Sequence, residues 1–158
     1  MLHPIIVVLL ASSLGLPAQT YKGPRPPKQD VPYLLHAQNL IEAEVSEAKE
    51  KEDKDEIVYT VPGESSSART PLASPIFLLQ AQNLQPERLQ LYRFEVRNGQ
   101  REVSFSKKKK KSTRPLMLTV TRLSNDNIYR LEAVDSLEKG EYSLTPEGSN
   151  QVFCFQVY

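Results

Sequence analysis

LQLYRFEVRNGQREVSFS, residues 89–106, alternates apolar and polar side chains on either side of Asn98-Gly99. A period of two marks strands with a buried face. Asn and Gly both accept positive φ, so the pair suits a two-residue type I′ turn. Folding back at Asn98-Gly99 sets Phe94 against Val103 and Tyr92 against Phe105, two apolar pairs on one face. The unit reads as a β-hairpin.

Two more hairpins follow. LMLTVTRL (116–123), the turn SNDN (124–127) and IYRLEA (128–133) bring Leu131 opposite Val120 and Ala133 opposite Leu118. EYSLT (141–145), the turn PEGSN (146–150) and QVFCFQVY (151–158) form the last pair, with Phe153, Phe155 and Val157 on one face. Upstream, LLHAQNL (34–40) matches LLQAQNL (78–84) at six of seven positions, which suggests two related β units. Two readings of 38–55 compete. Ile41, Ala43 and Val45 alternate, as do Ile57, Tyr59 and Val61, which favours a hairpin with a charged tip. The Ala, Glu and Lys content, with Ala37, Ile41, Val45 and Ala48 at helical spacing, supports a short helix instead.

About seven to nine strands, without another helix signal, predict an all-β, antiparallel β-sandwich. Leu137-Glu138-Lys139-Gly140-Glu141-Tyr142-Ser143-Leu144 sharpens this expectation. Its Leu-x-x-Gly-x-Tyr-x-apolar pattern resembles the tyrosine corner of immunoglobulin-like domains. The resemblance implies an immunoglobulin-like sandwich, with Gly140 making the tight corner and the Tyr142 hydroxyl bonding backbone just upstream. Antibody domains add a Cys pair and a Trp that are missing here, so the resemblance implies architecture and no activity. The C-terminal half, from PIFLL to VFCFQVY, is also similar to secreted bacterial β-sandwich proteins of unknown function.

Domain organisation follows from the breaks. Residues 1–18 carry no Lys, Arg, Asp or Glu, and an apolar run from Ile5 to Leu16 precedes Pro17-Ala18. The run is too short to span a bilayer and reads as a signal peptide cleaved after Ala18. The expected location is secreted or periplasmic. Residues 19–30 hold three Pro and three basic residues and read as an extended Pro-rich basic tether. Residues 31–158 form a single sandwich domain, interrupted by a flexible loop at 62–71.

With 158 residues, 39% apolar, the chain suffices for one packed core. One cysteine excludes a disulfide framework and any zinc site built on paired cysteines. Cys154, between two Phe, reads as a small buried hydrophobe rather than a nucleophile. His36 is the only histidine after residue 18 and reads as a half-buried strand residue, unsuited to a Ser–His–acid triad. No phosphate-binding Gly loop occurs. No catalytic, metal or cofactor residue is therefore expected, and only a carboxylate-based hydrolase survives as an enzymatic reading.

Charge is blocked. Glu42–Glu56 holds eight acids and three Lys, a net of −5, without Ca²⁺-loop spacing. Arg88–Arg114 holds ten basic residues and two Glu, a net of +8, including Lys107, Lys108, Lys109, Lys110 and Lys111. These lysines with Arg114, Arg97 and Arg101 form a candidate anion-binding surface, set against a merely solubilising loop. The lysines lack interleaved aromatics, which argues against nucleic acid. The expected function is an exported, non-catalytic binding or structural module of a cell envelope that contacts an anionic polymer or another protein. The alternative is an assembly or adhesion subunit that self-associates through strand edges and opposite charge blocks.

Overall fold

Thirteen short strands and one turn of 3-10 helix (Pro86–Arg88) make up the fold, in a computed structural model that describes residues 20–108 and 112–158. The expected signal peptide, residues 1–18, and Lys109, Lys110 and Lys111 lie outside the described residues. The strands are β1 (Tyr33–His36), β2 (Asn39–Glu42), β3 (Glu44–Glu47), β4 (Lys49–Glu52), β5 (Glu56–Pro62), β6 (Arg69–Thr70), β7 (Ile76–Gln80), β8 (Leu89–Arg97), β9 (Gln100–Ser106), β10 (Leu118–Arg122), β11 (Ile128–Ala133), β12 (Gly140–Pro146) and β13 (Gln151–Val157). They form a five-stranded sheet, β10-β11-β7-β1-β2, and an eight-stranded one, β3-β13-β12-β8-β9-β5-β4, with β6 added beside β13. The fold is all-β, and every pairing is antiparallel except β6 with β13.

The hairpin registers follow the alternation. Arg97 pairs with Gln100 and Val96 with Arg101 around Asn98 (φ 52°) and Gly99 (φ 74°), as a type I′ turn requires. Leu118 faces Ala133 and Val120 faces Leu131. Tyr142 faces Phe155 and Leu144 faces Phe153. Between the sheets, Leu91, Leu144, Phe153 and Phe155 pack against Leu34, Phe77, Leu79 and Leu131. The rings of Phe77 and Phe155 meet edge to face at 4.7 Å.

The segment 38–55 holds no helix. Asn39–Glu52 is one extended run, broken only at Ala43 and Ala48. Its first part pairs with β1, its middle with β13 and its last part with β5. Ala43 and Ala48 are the corners, both buried, and their amides leave the ladders to reach Pro32 O (3.1 Å) and Asn150 O (2.8 Å). A methyl side chain lets the backbone turn where a larger one would collide with the packed sheets. The helical spacing of Ala37, Ile41, Val45 and Ala48 is therefore coincidental: Ala37 sits in the tight β1–β2 turn and Ala48 marks a sheet corner. The hairpin lies further along than expected, with Glu50 opposite Tyr59 and a tip at Asp53–Asp55. Division of this run, together with the two-residue β6, accounts for thirteen strands where about seven to nine were expected.

The corner at Ala48 has a large consequence. β3 and β4 end the eight-stranded path on opposite sides, yet only Ala48 separates them in the chain. The path thus closes on itself and encloses a second, smaller core of Ala48, Val61, Phe94, Val152 and Cys154, with Tyr59 and Val103 packed against it.

Two other segments differ from expectation. Residues 20–30 do not hang free. Pro26 is buried, Gln29 bridges to Gln80, and Lys28 Nζ donates to Glu42 Oε1 at 2.8 Å. The Asp30 carboxylate accepts the backbone N–H groups of Gln82, Asn83 and Leu84 at 2.7–3.0 Å. In the loop 62–71, Ser66, Ala68 and Thr70 are buried, because the chain turns inward to seal one end of the closed sheet. The repeat copies diverge. The first makes the tight turn between β1 and β2 at Ala37 (φ 55°), while the second leaves its sheet after Gln80 and is held by Asp30.

Candidate functional site

Among the described residues, the basic candidates do not assemble into one surface. Arg101, expected outside, is 1% exposed. Its register opposite Val61 turns it into the closed sheet, where it fills the end opposite the cavity described below. There Nη2 donates to Glu44 Oε1 and Pro62 O, both at 2.7 Å. Nη1 donates to Ser66 Oγ at 2.7 Å, and Nε to Gly63 O at 3.0 Å. Glu141 accepts from the Ser66 amide at 3.0 Å and lies 3.9 Å from Nη1. A fully buried guanidinium needs this many acceptors to replace water. Arg101 is thus structural, and its assignment to an anion surface is corrected.

The other described candidates remain outside. Arg97 is exposed and pairs with Glu95 and Glu102 on its own hairpin. Lys107 Nζ lies 2.7 Å from Glu52 Oε1, and Lys108 Nζ 3.7 Å from Asp55 Oδ1. The described start of the lysine run therefore rests on the acidic β4–β5 tip, joining the two charge blocks within one molecule. Arg114 is exposed and has no carboxylate partner among the described residues. His36 is exposed at the end of β1 rather than half-buried. Cys154 is fully buried, and burial pushes its thiol up to about 12, as an inert core cysteine requires.

The Tyr142 hydroxyl donates to Glu138 O at 2.8 Å, the corner bond expected from the motif. Gly140 serves differently from expectation. Its φ is not positive, and a Cβ there would come within 3.2 Å of Arg93 Nε. The glycine leaves room for Arg93, which pairs with Glu138 at 2.6 Å and donates to Lys139 O at 3.0 Å. The turn residues Asn98 and Gly99 play the structural part expected of them.

The feature not anticipated is a cavity of about 400 Å³ at the open end of the closed sheet. Phe94, Val103 and Val152 lie at its base, continuous with the smaller core. Tyr59, Tyr92 and Phe105 line its walls. Phe105 sits between the two tyrosines, 5.7 Å from the Tyr59 ring at 80° and 5.3 Å from the Tyr92 ring at 87°. Polar groups complete the lining and bond one another: Tyr92 Oη donates to Gln90 Oε1 at 2.9 Å, and Oγ of the buried Ser143 lies 3.1 Å from Thr145 Oγ1. The Tyr59 hydroxyl is raised in pKa first by burial and then by Glu50; burial and then Glu147 act likewise on Tyr92. Both phenols thus stay protonated at neutral pH. Such a space, mostly apolar with polar groups completing its lining, has the composition of a small-molecule site.

Residue signals for this cavity exist in the sequence. In LQLYRF the alternation shifts phase, with Leu89 and Leu91 on one face and Tyr92 and Phe94 on the other. VFCF is apolar without interruption. Both patterns mean that two faces are covered.

No family model, no curated protein and no solved structure matches the chain. Among the described residues, no helix is long and apolar enough to cross a membrane, and no group of three or more His, Cys, Asp or Glu is placed to hold a metal ion.

Proposed function

We propose that the chain is an exported, non-catalytic binding module of a cell envelope, and that the cavity at the open end of the closed sheet is its ligand site. The observation that carries this reading is the cavity itself: about 400 Å³, walled by three aromatic rings, in a sheet whose other end is plugged by Arg101. Within a packed interior such a space has lost the contacts its lining would otherwise make, so a fold that keeps it gains by filling it with a ligand. Export is supported by the pattern of residues 1–18 and a secreted or periplasmic location goes with it. Immunoglobulin-like character is supported by the bond from Tyr142 to Glu138.

The basic loop is a subsidiary contact for an anionic envelope polymer or another protein. Lys107 and Lys108 are partnered by acids, and among the described residues Arg114 is the candidate with no carboxylate partner. The same pairs weigh against the assembly-subunit reading, since the complementary charges already meet inside one molecule.

The test uses the neutral fluorophore N-phenyl-1-naphthylamine. The folded chain is expected to bind it and raise its emission. Thr145→Phe, which fills the rim of the cavity, should abolish the rise while leaving the strand circular dichroism intact. No binding by the wild type of this probe, nor of the cationic ligand tested below, would overturn the cavity as a ligand site. In parallel, wild type and a variant with Lys107 to Lys111 each changed to Gln are eluted by salt from an immobilised sulfated polysaccharide. The variant is expected to leave at lower salt; co-elution would remove the loop from the reading.

A further inference from the structure

The cavity has one charged residue in its lining, Glu50. Its place there follows from the sequence of β4, Lys-Glu-Lys-Glu at 49–52. Side chains alternate along a strand, and Glu50 pairs with Tyr59 while Glu52 pairs with Ile57. Both carboxylates therefore share the inward side of the sheet with the cavity wall, and Lys49 and Lys51 share the outward side. Glu52 is occupied by Lys107 at 2.7 Å. Glu50 stays exposed at the rim, close enough to the Tyr59 hydroxyl to help raise its pKa. Among the described residues, no Lys or Arg lines the cavity.

Below this carboxylate stand the three rings. Tyr59 and Tyr92 meet Phe105 nearly at right angles, at 5.7 and 5.3 Å between centroids. Rings set at right angles around one space present π faces and edges from different directions. The electron-rich faces attract a cation within about 6 Å of a centroid, and the attraction grows as water is removed. An anion would meet the Glu50 carboxylate at the mouth and the ring quadrupoles inside. A neutral apolar molecule would gain the burial but no attraction from the carboxylate.

We propose that the cavity selects a small organic cation with an apolar body, of the quaternary or alkyl-substituted ammonium class, with Glu50 and the Tyr59–Phe105–Tyr92 cluster as the residues that set this specificity. This inference rests on the cavity being a ligand site, as argued above, and adds the charge and class of the ligand. It also reverses the charge expected from the lysine run. That run is the most conspicuous basic feature of the sequence, but its described members, Lys107 and Lys108, do not line the cavity.

The experiment compares choline with 3,3-dimethylbutan-1-ol, its neutral carbon isostere, by NMR titration of the full chain, reading the aromatic ring resonances. Choline is expected to bind at least about 10-fold more tightly than the isostere. Glu50→Gln, an exposed rim substitution that leaves the packing alone, should weaken choline about 5-fold and leave the isostere unchanged. Phe105→Leu should weaken choline about 10-fold, with its fold checked by circular dichroism. Equal affinity for choline and the isostere would overturn the cation class while leaving a ligand site. Indifference of choline binding to Glu50→Gln would overturn the role of that carboxylate. If N-phenyl-1-naphthylamine binds and choline does not, the cavity is a neutral apolar site and the inference fails alone. If neither binds, the ligand-site reading fails with it.

Discussion

Arg101 and Tyr142 show how one side chain can hold two parts of this chain together. Arg101 is the largest fully buried side chain and faces two carboxylates, Glu44 and Glu141, as well as three oxygens of the 62–66 loop. Removing it leaves those carboxylates without their counter-charge. Arg101→Ala is therefore expected to lower stability by about 3–5 kcal/mol, read from urea unfolding. A loss under about 1 kcal/mol would mean that water reaches the site and solvates the acids. The Tyr142 hydroxyl makes a single neutral bond to Glu138 O. Tyr142→Phe keeps the ring stacked on Phe155 and removes only that bond, so about 0.5–1.5 kcal/mol is expected. An unchanged denaturation midpoint would mean that the bond contributes nothing.

Among the elements, the β8–β9 hairpin was legible because local chemistry specifies it. Asn98 and Gly99 take positive φ, and nothing lies within 4 Å of a Cβ placed on Gly99. The cost of Gly99→Ala is then a backbone cost alone, about 1 kcal/mol in the equilibrium unfolding free energy. A neutral result would show that the turn relaxes to another type. The run 39–52 was not legible in the same way. Its Ala, Glu and Lys residues favour a helix by intrinsic propensity. Propensity is worth tenths of a kcal/mol per residue, less than the pairing with β1, β13 and β5 that holds the run extended. Nor did local sequence separate the copies of the repeated motif. Six shared residues form a tight turn in one copy and leave the sheet in the other, where Asp30 reaches across from another part of the chain.

On the scale of the whole molecule, Asp30 ties the N-terminal segment to the body. Burial raises the pKa of its carboxyl, but the hydrogen bonds from Gln82, Leu84 and Asn83 outweigh that and hold it below the ordinary carboxylate value. The unfolded chain therefore takes up this proton first on acidification. The contribution of Asp30 to stability is complete above about pH 4 and is lost as pH falls through the folded value. Asp30→Asn should flatten the fall in melting temperature between about pH 4 and pH 2. An unchanged acid limb would place the loss on other carboxylates. The charge blocks also act at this scale, as neighbours on the β4–β5 tip and the end of β9 rather than as opposite poles.

By itself the sequence determined the all-β class, the three hairpins with the registers of the first two, the corner tyrosine and the burial of Cys154. Each depends on residues a few positions apart, whose period, turn chemistry or neighbours act locally. The assignment of strands to the two sheets, the closure at Ala48, the burial of Arg101 and the aromatic cavity were decided only by the tertiary structure. They depend on which faces of distant strands meet. An alternating pattern says that a face is covered, without saying by what. The covering of Tyr92 by Phe105 of β9, with Tyr59 beyond it, follows from the sheet closing on itself once Ala48 lets the chain turn.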